Sequence, residues 1–151
     1  MDRIDEGWDL VAPSIASNRD KFVLGGWINL FERMQFLRGT ENLMIDLAED
    51  RPELYVLRDM VMEYWLAYLD RWLQFDVDAI VFGDDWGHQH GLLISPDTWR
   101  RVFKPAYQEM FELVHQSGKF VFFHSDGHIM DLYEDFIDMG VSAINSQLWC
   151  M

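Results

Sequence analysis

Three stretches of the chain gather side chains capable of acid–base, metal or hydrogen-bonding chemistry, and each begins where an apolar run ends. They are Phe82-Gly83-Asp84-Asp85-Trp86-Gly87-His88-Gln89-His90, Phe123-His124-Ser125-Asp126-Gly127-His128 and Asn145-Ser146-Gln147. Adjacent carboxylates such as Asp84 and Asp85 raise one another's pKa or coordinate a cation when they share a site. The competing role is structural, with one aspartate capping the following turn while Trp86 packs beneath it. His88 and His90 can both point inward as an alternating pair, although Gly87 and Gly91 favour an exposed loop around them. His124 and Asp126 can hold an ion or a substrate, or can cap the next helix and hydrogen-bond each other. Asp84, Asp85 and His124 are therefore the candidate catalytic groups, with Trp86, His88, Asp126, Asn145 and Gln147 as candidate substrate contacts.

The elements that must position these groups read as alternating strands and helices. Phe22-Val23-Leu24 followed by Gly25-Gly26 predicts a short buried strand that ends at the glycines. Thr40 and its neighbours can cap a helix through Leu43, Met44 and Leu47, and Arg51-Pro52 starts another. Its apolar face runs through Leu54, Leu57, Val61, Trp65, Leu69 and Trp72. Ala79 to Phe82 is an uninterrupted apolar strand of the kind found in parallel sheets covered by helices. Ser95-Pro96-Asp97 opens a helix that stops near Ser117-Gly118, with Pro105 kinking or splitting it. Lys119 to Phe123 is a third strand, Ile129 to Met139 a helix closed by Gly140, and Val141 to Asn145 the start of a fourth strand. A weak helix precedes them all, interrupted by Pro13. The right-handed crossover rule then makes the strands parallel, leaving a (β/α)₈ barrel or a doubly wound sheet. In either architecture ligands bind outside the carboxyl ends of the strands, so the three polar stretches converge on one crevice.

The chain has 151 residues, half of them hydrophobic, which suffices for a packed core in one domain. Its longest apolar runs fall far short of the roughly 20 residues a membrane span needs. Twelve basic against 26 acidic residues give a formal charge of −14, which disfavours a nucleic-acid partner. The acidic start Met1-Asp2-Arg3-Ile4-Asp5-Glu6 lacks the features of a secretory signal, and Cys150 is the single cysteine, so a cytoplasmic location is expected.

A co-linear set of motifs resembles the uroporphyrinogen decarboxylase superfamily, especially its methyltransferase-like branch. The set is Leu30-Phe31-Glu32-Arg33 with Leu37-Arg38-Gly39, Gly83 to Gly87, Ile94-Ser95-Pro96, Lys104-Pro105, His115, Gly118-Lys119, His124-Ser125-Asp126-Gly127, and Gly140-Val141 to Asn145. The resemblance implies a (β/α)₈ barrel of which residues 1–151 are one partial domain, incomplete at the C-terminus and also at the N-terminus, since a whole barrel takes about 250 residues. Such a fragment alone is expected to be inactive. It implies methyl transfer with a corrinoid (cobalamin) carrier or corrinoid protein, or decarboxylation of a porphyrinogen without a cofactor, as in porphyrin biosynthesis. A catalytically inactive tetrapyrrole-binding domain is the third possibility. The zinc-using methyltransferases of this family carry a His-x-Cys element where His124-Ser125-Asp126 stands, so Asp126 replaces a cysteine. A zinc site would then use His124 and Asp126, with Cys150 supplying sulfur from the next strand. Decarboxylation would require arginines, for which Arg33, also a candidate substrate contact, and Arg38 are the nearest.

Overall fold

The computed structural model describes residues 7–147. After a 3₁₀ turn at Trp8–Leu10 and the short helix α1 (Val11–Ala16), strand β1 (Leu24–Ile28) leads into α2 (Phe31–Arg38), α3 (Thr40–Glu49) and the long α4 (Pro52–Leu73). Strand β2 (Ala79–Gly83) is followed by a two-residue hairpin, β3 (Gly87–His88) and β4 (Gly91–Leu92), and then by α5 (Pro96–Val102) and α6 (Lys104–Gln116). Strand β5 (Phe120–Asp126) connects through a 3₁₀ turn and α7 (Tyr133–Asp138) to β6 (Ala143–Gln147). The sheet order β1-β2-β5-β6 follows chain order and every pairing is parallel. This is an arc of four strands, half the complement of a (β/α)₈ barrel, with crossover helices on its outer face. No helix among the described residues is long and apolar enough to cross a membrane.

Alternation along the strands assigns the two faces. Ile80 and Phe82 of β2 and Val121 and Phe123 of β5 turn toward the helices, where they meet Trp99, Phe103, Tyr107, Phe111 and Phe136 in one fully buried cluster. The opposite, inner face carries Val81, Phe122 and Ala143 in one layer, and Gly83, His124 and Asn145 in the next layer toward the carboxyl ends.

Several predicted boundaries move, each for a local reason. Gly25 and Gly26 do not end β1 but lie inside it, at a register shift. A Cβ on Gly25 would sit 2.7 Å from the indole of Trp72, and Gly26 has φ +73°. The glycines thus allow a bulge and close helix packing, and the strand continues to Trp27 and Ile28. Thr40 is the first helical residue of α3 rather than its cap, and Gly39 with φ +82° makes the turn. Ser95 caps α5 as expected, its Oγ accepting the Thr98 N–H at 3.1 Å, and Pro105 lies in the first turn of a separate α6. Pro13 is accommodated near the start of α1 instead of interrupting it. Strand β5 runs three residues further than expected, so His124, Ser125 and Asp126 belong to the strand itself.

Candidate active site at the strand ends

Because β5 persists through Asp126, its pleat sends His124 and Asp126 to the inner face and Ser125 to the helix side. Ser125 is fully buried, and its Oγ accepts the backbone N–H of Trp86 at 3.0 Å. On the inner face His124 Nε2 lies 3.6 Å from Asp126 Oδ1 and 3.9 Å from Asp85 Oδ1. Asp85 is fixed from behind by the Asp126 N–H, which donates to its Oδ1 at 2.9 Å. His124 Nδ1 lies 2.7 Å from Asn145 Oδ1 on β6. An amide oxygen only accepts, so Nδ1 is the donor in this contact and Nε2 is turned toward the two carboxylates.

Two glycines hold the loops in this arrangement. A Cβ on Gly127, whose φ is +80°, would lie 2.3 Å from the Gly87 carbonyl carbon, and one on Gly87 would lie 2.6 Å from the Gly127 carbonyl carbon. The turns after β2 and β5 therefore touch backbone to backbone, and the His128 N–H closes the contact by donating to the His88 carbonyl at 2.9 Å. The clasp sets the spacing of Asp85 from His124 and Asp126.

The sequence-predicted residues divide between this crevice and the rest of the fold. Asp85, His124, Asp126 and Asn145 come together. Gln147 stands opposite Asp126 in the strand register, and Cys150 lies outside the described residues. Asp84 is corrected to a structural role. It is fully buried on the helix side, its carboxylate accepting the N–H groups of Leu30, Phe31 and Glu32 at 2.7–3.0 Å as well as the Tyr107 hydroxyl. It thus caps the start of α2 from the turn that follows β2, a tertiary counterpart of a helix N-cap. Burial pushes its pKa up to about 7 against the opposing pull of these donors, and burial together with Asp84 drives Tyr107 well above the usual phenol range.

Trp86 is likewise removed from the substrate contacts, because it is fully buried and stacked on Phe31 at 4.3 Å between ring centroids. Arg33 sits in the first turn of α2 with its guanidinium 5.4 Å from the ring of Trp65 on α4. Arg38 pairs with Asp46 at 2.6 Å. His88 is exposed on the β3–β4 hairpin, where its Nδ1 accepts the His90 N–H at 3.3 Å. The pair bond each other outside the triad.

The residue that sequence reasoning missed is Trp27. Placed on the inner face by the extended β1, its indole is half exposed, lies over Gly83 and stands beside the His124 ring at 5.9 Å.

Asp85, His124 and Asp126 offer ligand atoms within 4.8 Å of one another. Ligands of a tetrahedral first-row ion stand about 3.3 Å apart, so the three groups would have to draw together to hold one. Two carboxylates and an imidazole form an oxygen-rich donor set suited to zinc and to harder divalent ions.

A family model described as uroporphyrinogen decarboxylase (URO-D) matches residues 22–147. Among solved structures, a methyltransferase from Methanosarcina mazei superposes with a TM-score of 0.73 at 18% sequence identity, over 93% of this chain. The chain spans 40% of the length of that neighbour, and at this identity the likeness bears on the fold. Curated proteins give no match.

Proposed function

The chain belongs to the uroporphyrinogen decarboxylase family, and from that membership we propose that it is a methyltransferase-like member, moving a methyl group between a small-molecule substrate and a corrinoid partner. The observation that carries this reading is the make-up of the crevice. An imidazole and two carboxylates meet there, and among the described residues no arginine or lysine forms an ion pair with either carboxylate. A decarboxylase acting on a porphyrinogen must hold several substrate carboxylates and needs cations to do so. Of the two arginines expected for that role, Arg38 is paired with Asp46 and Arg33 lies against the Trp65 ring. The methyltransferase named among the similar structures supports the same choice.

In this reading Asn145 selects the His124 tautomer, and Nε2 serves as base or ligand at the reacting group. Asp85 and Asp126 hold positive charge near it, and the Gly87–Gly127 contact keeps the three groups in register. A divalent ion such as zinc would be held by His124, Asp126 and Asp85, and when bound would supply Lewis-acid stabilisation of charge on the methyl acceptor.

The test is to mix the complete protein that contains residues 1–151 with methylcobalamin and a thiol acceptor and to follow the visible absorbance of the corrinoid. Demethylation that falls at least ~100-fold in His124→Ala is expected for loss of a positioned base or ligand. Release of carbon dioxide from uroporphyrinogen with methylcobalamin untouched would make it a decarboxylase. Tight tetrapyrrole binding with neither turnover would leave an inactive binding domain.

A further inference from the structure

Trp27 has no part in the chemistry assigned above, yet the fold is shaped around it. The bulge at Gly25–Gly26 prolongs β1 so that the indole arrives at the mouth of the barrel arc. Gly83 gives it a floor, since a Cβ there would lie 2.7 Å from the indole Cζ2. A tryptophan gains most from full burial, and the other indole near these strand ends, Trp86, has it. Trp27 instead keeps 50% of its surface open, its ring inclined 40° to that of His124.

The surroundings define what such a face can receive. Asp85 and Asp126 face Nε2 of His124 with side chains 43% and 47% exposed. The Asp126 Oδ1 is enclosed and accepts no hydrogen bond. No described lysine or arginine neutralises the pair, and the whole chain carries −14. An anionic ligand is repelled here, and a neutral apolar one gains only the contact with the ring. An indole face is electron-rich and attracts a cation within about 6 Å of its centroid, most strongly when the cation is poorly hydrated.

We propose that this wall recognises an organic onium cation, a methylated ammonium group seated against the exposed face of Trp27 with Asp85 and Asp126 as its counter-charges. The identification of that group as the methyl-bearing substrate rests on the methyl-transfer reading, whereas its binding does not. An onium centre has no site for coordination, so its recognition depends on the ring and on charge. A divalent ion held by the triad would cancel two negative charges and compete.

Titration calorimetry of the chelator-treated chain at low salt, with choline and with its neutral isostere 3,3-dimethyl-1-butanol, separates charge from shape. Choline is expected to bind at least ~10-fold more tightly, in line with a desolvated cation–π contact reinforced by carboxylates. Trp27→Leu and the isosteric Asp126→Asn should each weaken choline at least ~5-fold, and Trp27→Phe, which restores a ring, should recover part of the loss. Saturating zinc should also weaken it. Equal affinity for the two ligands, no choline binding, or binding indifferent to Trp27→Leu or to zinc would overturn the proposal. Asp126→Asn and the isostere control stand even if Trp27→Leu fails to fold. Methylcobalamin turnover without choline binding would refute the onium site alone, and choline binding without turnover would refute methyl transfer alone.

Discussion

Asp84 faces the helices and Asp85, one residue on, faces the open side of the sheet, so the pleat divides two identical side chains between two environments. On the helix side four donors consume the carboxylate and it stitches α2 to β2. On the open side Asp85 accepts the Asp126 N–H and keeps most of its acceptor capacity facing His124. Stability and chemistry draw on the same functional group, and which one it serves depends on whether folding has already used its lone pairs.

The sharpest way to break this contrast is Asp84→Ala. It leaves three backbone N–H groups and a phenol without an acceptor in a dry site, each costing about 1–3 kcal/mol before relaxation. A loss of about 4 kcal/mol is expected, near the top of the range for a single substitution, read by urea denaturation. A loss below ~1 kcal/mol would mean that Asp84 is no more structural than its neighbour. Next in size is Gly127→Ala, which forces a methyl into the Gly87 backbone at a positive φ. The clasp should lose about 2–3 kcal/mol, and any divalent-ion affinity of the triad should fall with it.

A gentler effect is the pH dependence. Asp84 has a folded pKa raised to about 7 by burial. Its proton stays on in the folded chain and leaves in the unfolded one between the ordinary aspartate value and about 7, so its stabilisation is complete below that window and is lost as pH rises through it. Asp46 has the opposite sign. The Arg38 hydrogen bond holds its pKa below the usual range, and its contribution is lost only in acid. Urea midpoints measured from pH 5 to 7.5 should therefore decline for the natural chain and stay flatter for Asp84→Asn. A flat natural profile would contradict the raised value.

Local signals made much of the fold legible in the sequence. The apolar run at β2, the Ser95 cap and the split at Pro105 all depend on residues within a few positions of one another. The convergence of Asp85, His124 and Asp126 was legible too, because strand ends collect ligands in this architecture. The side of the sheet was not. In Ala79-Ile80-Val81-Phe82 both faces are apolar, so no alternation told Asp84 from Asp85, and Trp86 looked as available as either. Trp27 was hidden because Gly25-Gly26 reads locally as an ending, whereas the close approach of Trp72 makes it a bulge. The Gly87–Gly127 contact joins residues 40 apart, and nothing local announces it.

The smallest expected change in stability is also the most telling for the contrast. Asp85→Asn keeps an amide oxygen to accept the Asp126 N–H and removes only a charge on a side chain that is 43% exposed. Its urea midpoint should move by no more than about 0.5 kcal/mol in free-energy terms, as for ordinary surface substitutions. Removing one of two negative charges facing His124 could even relieve repulsion. Binding of a divalent ion or of an organic cation should nonetheless weaken several-fold, because a neutral amide is a poorer ligand and no counter-charge. If Asp85→Asn instead unfolded the chain as Asp84→Ala does, the open face would be part of the scaffold, and the division of labour across the pleat would be wrong.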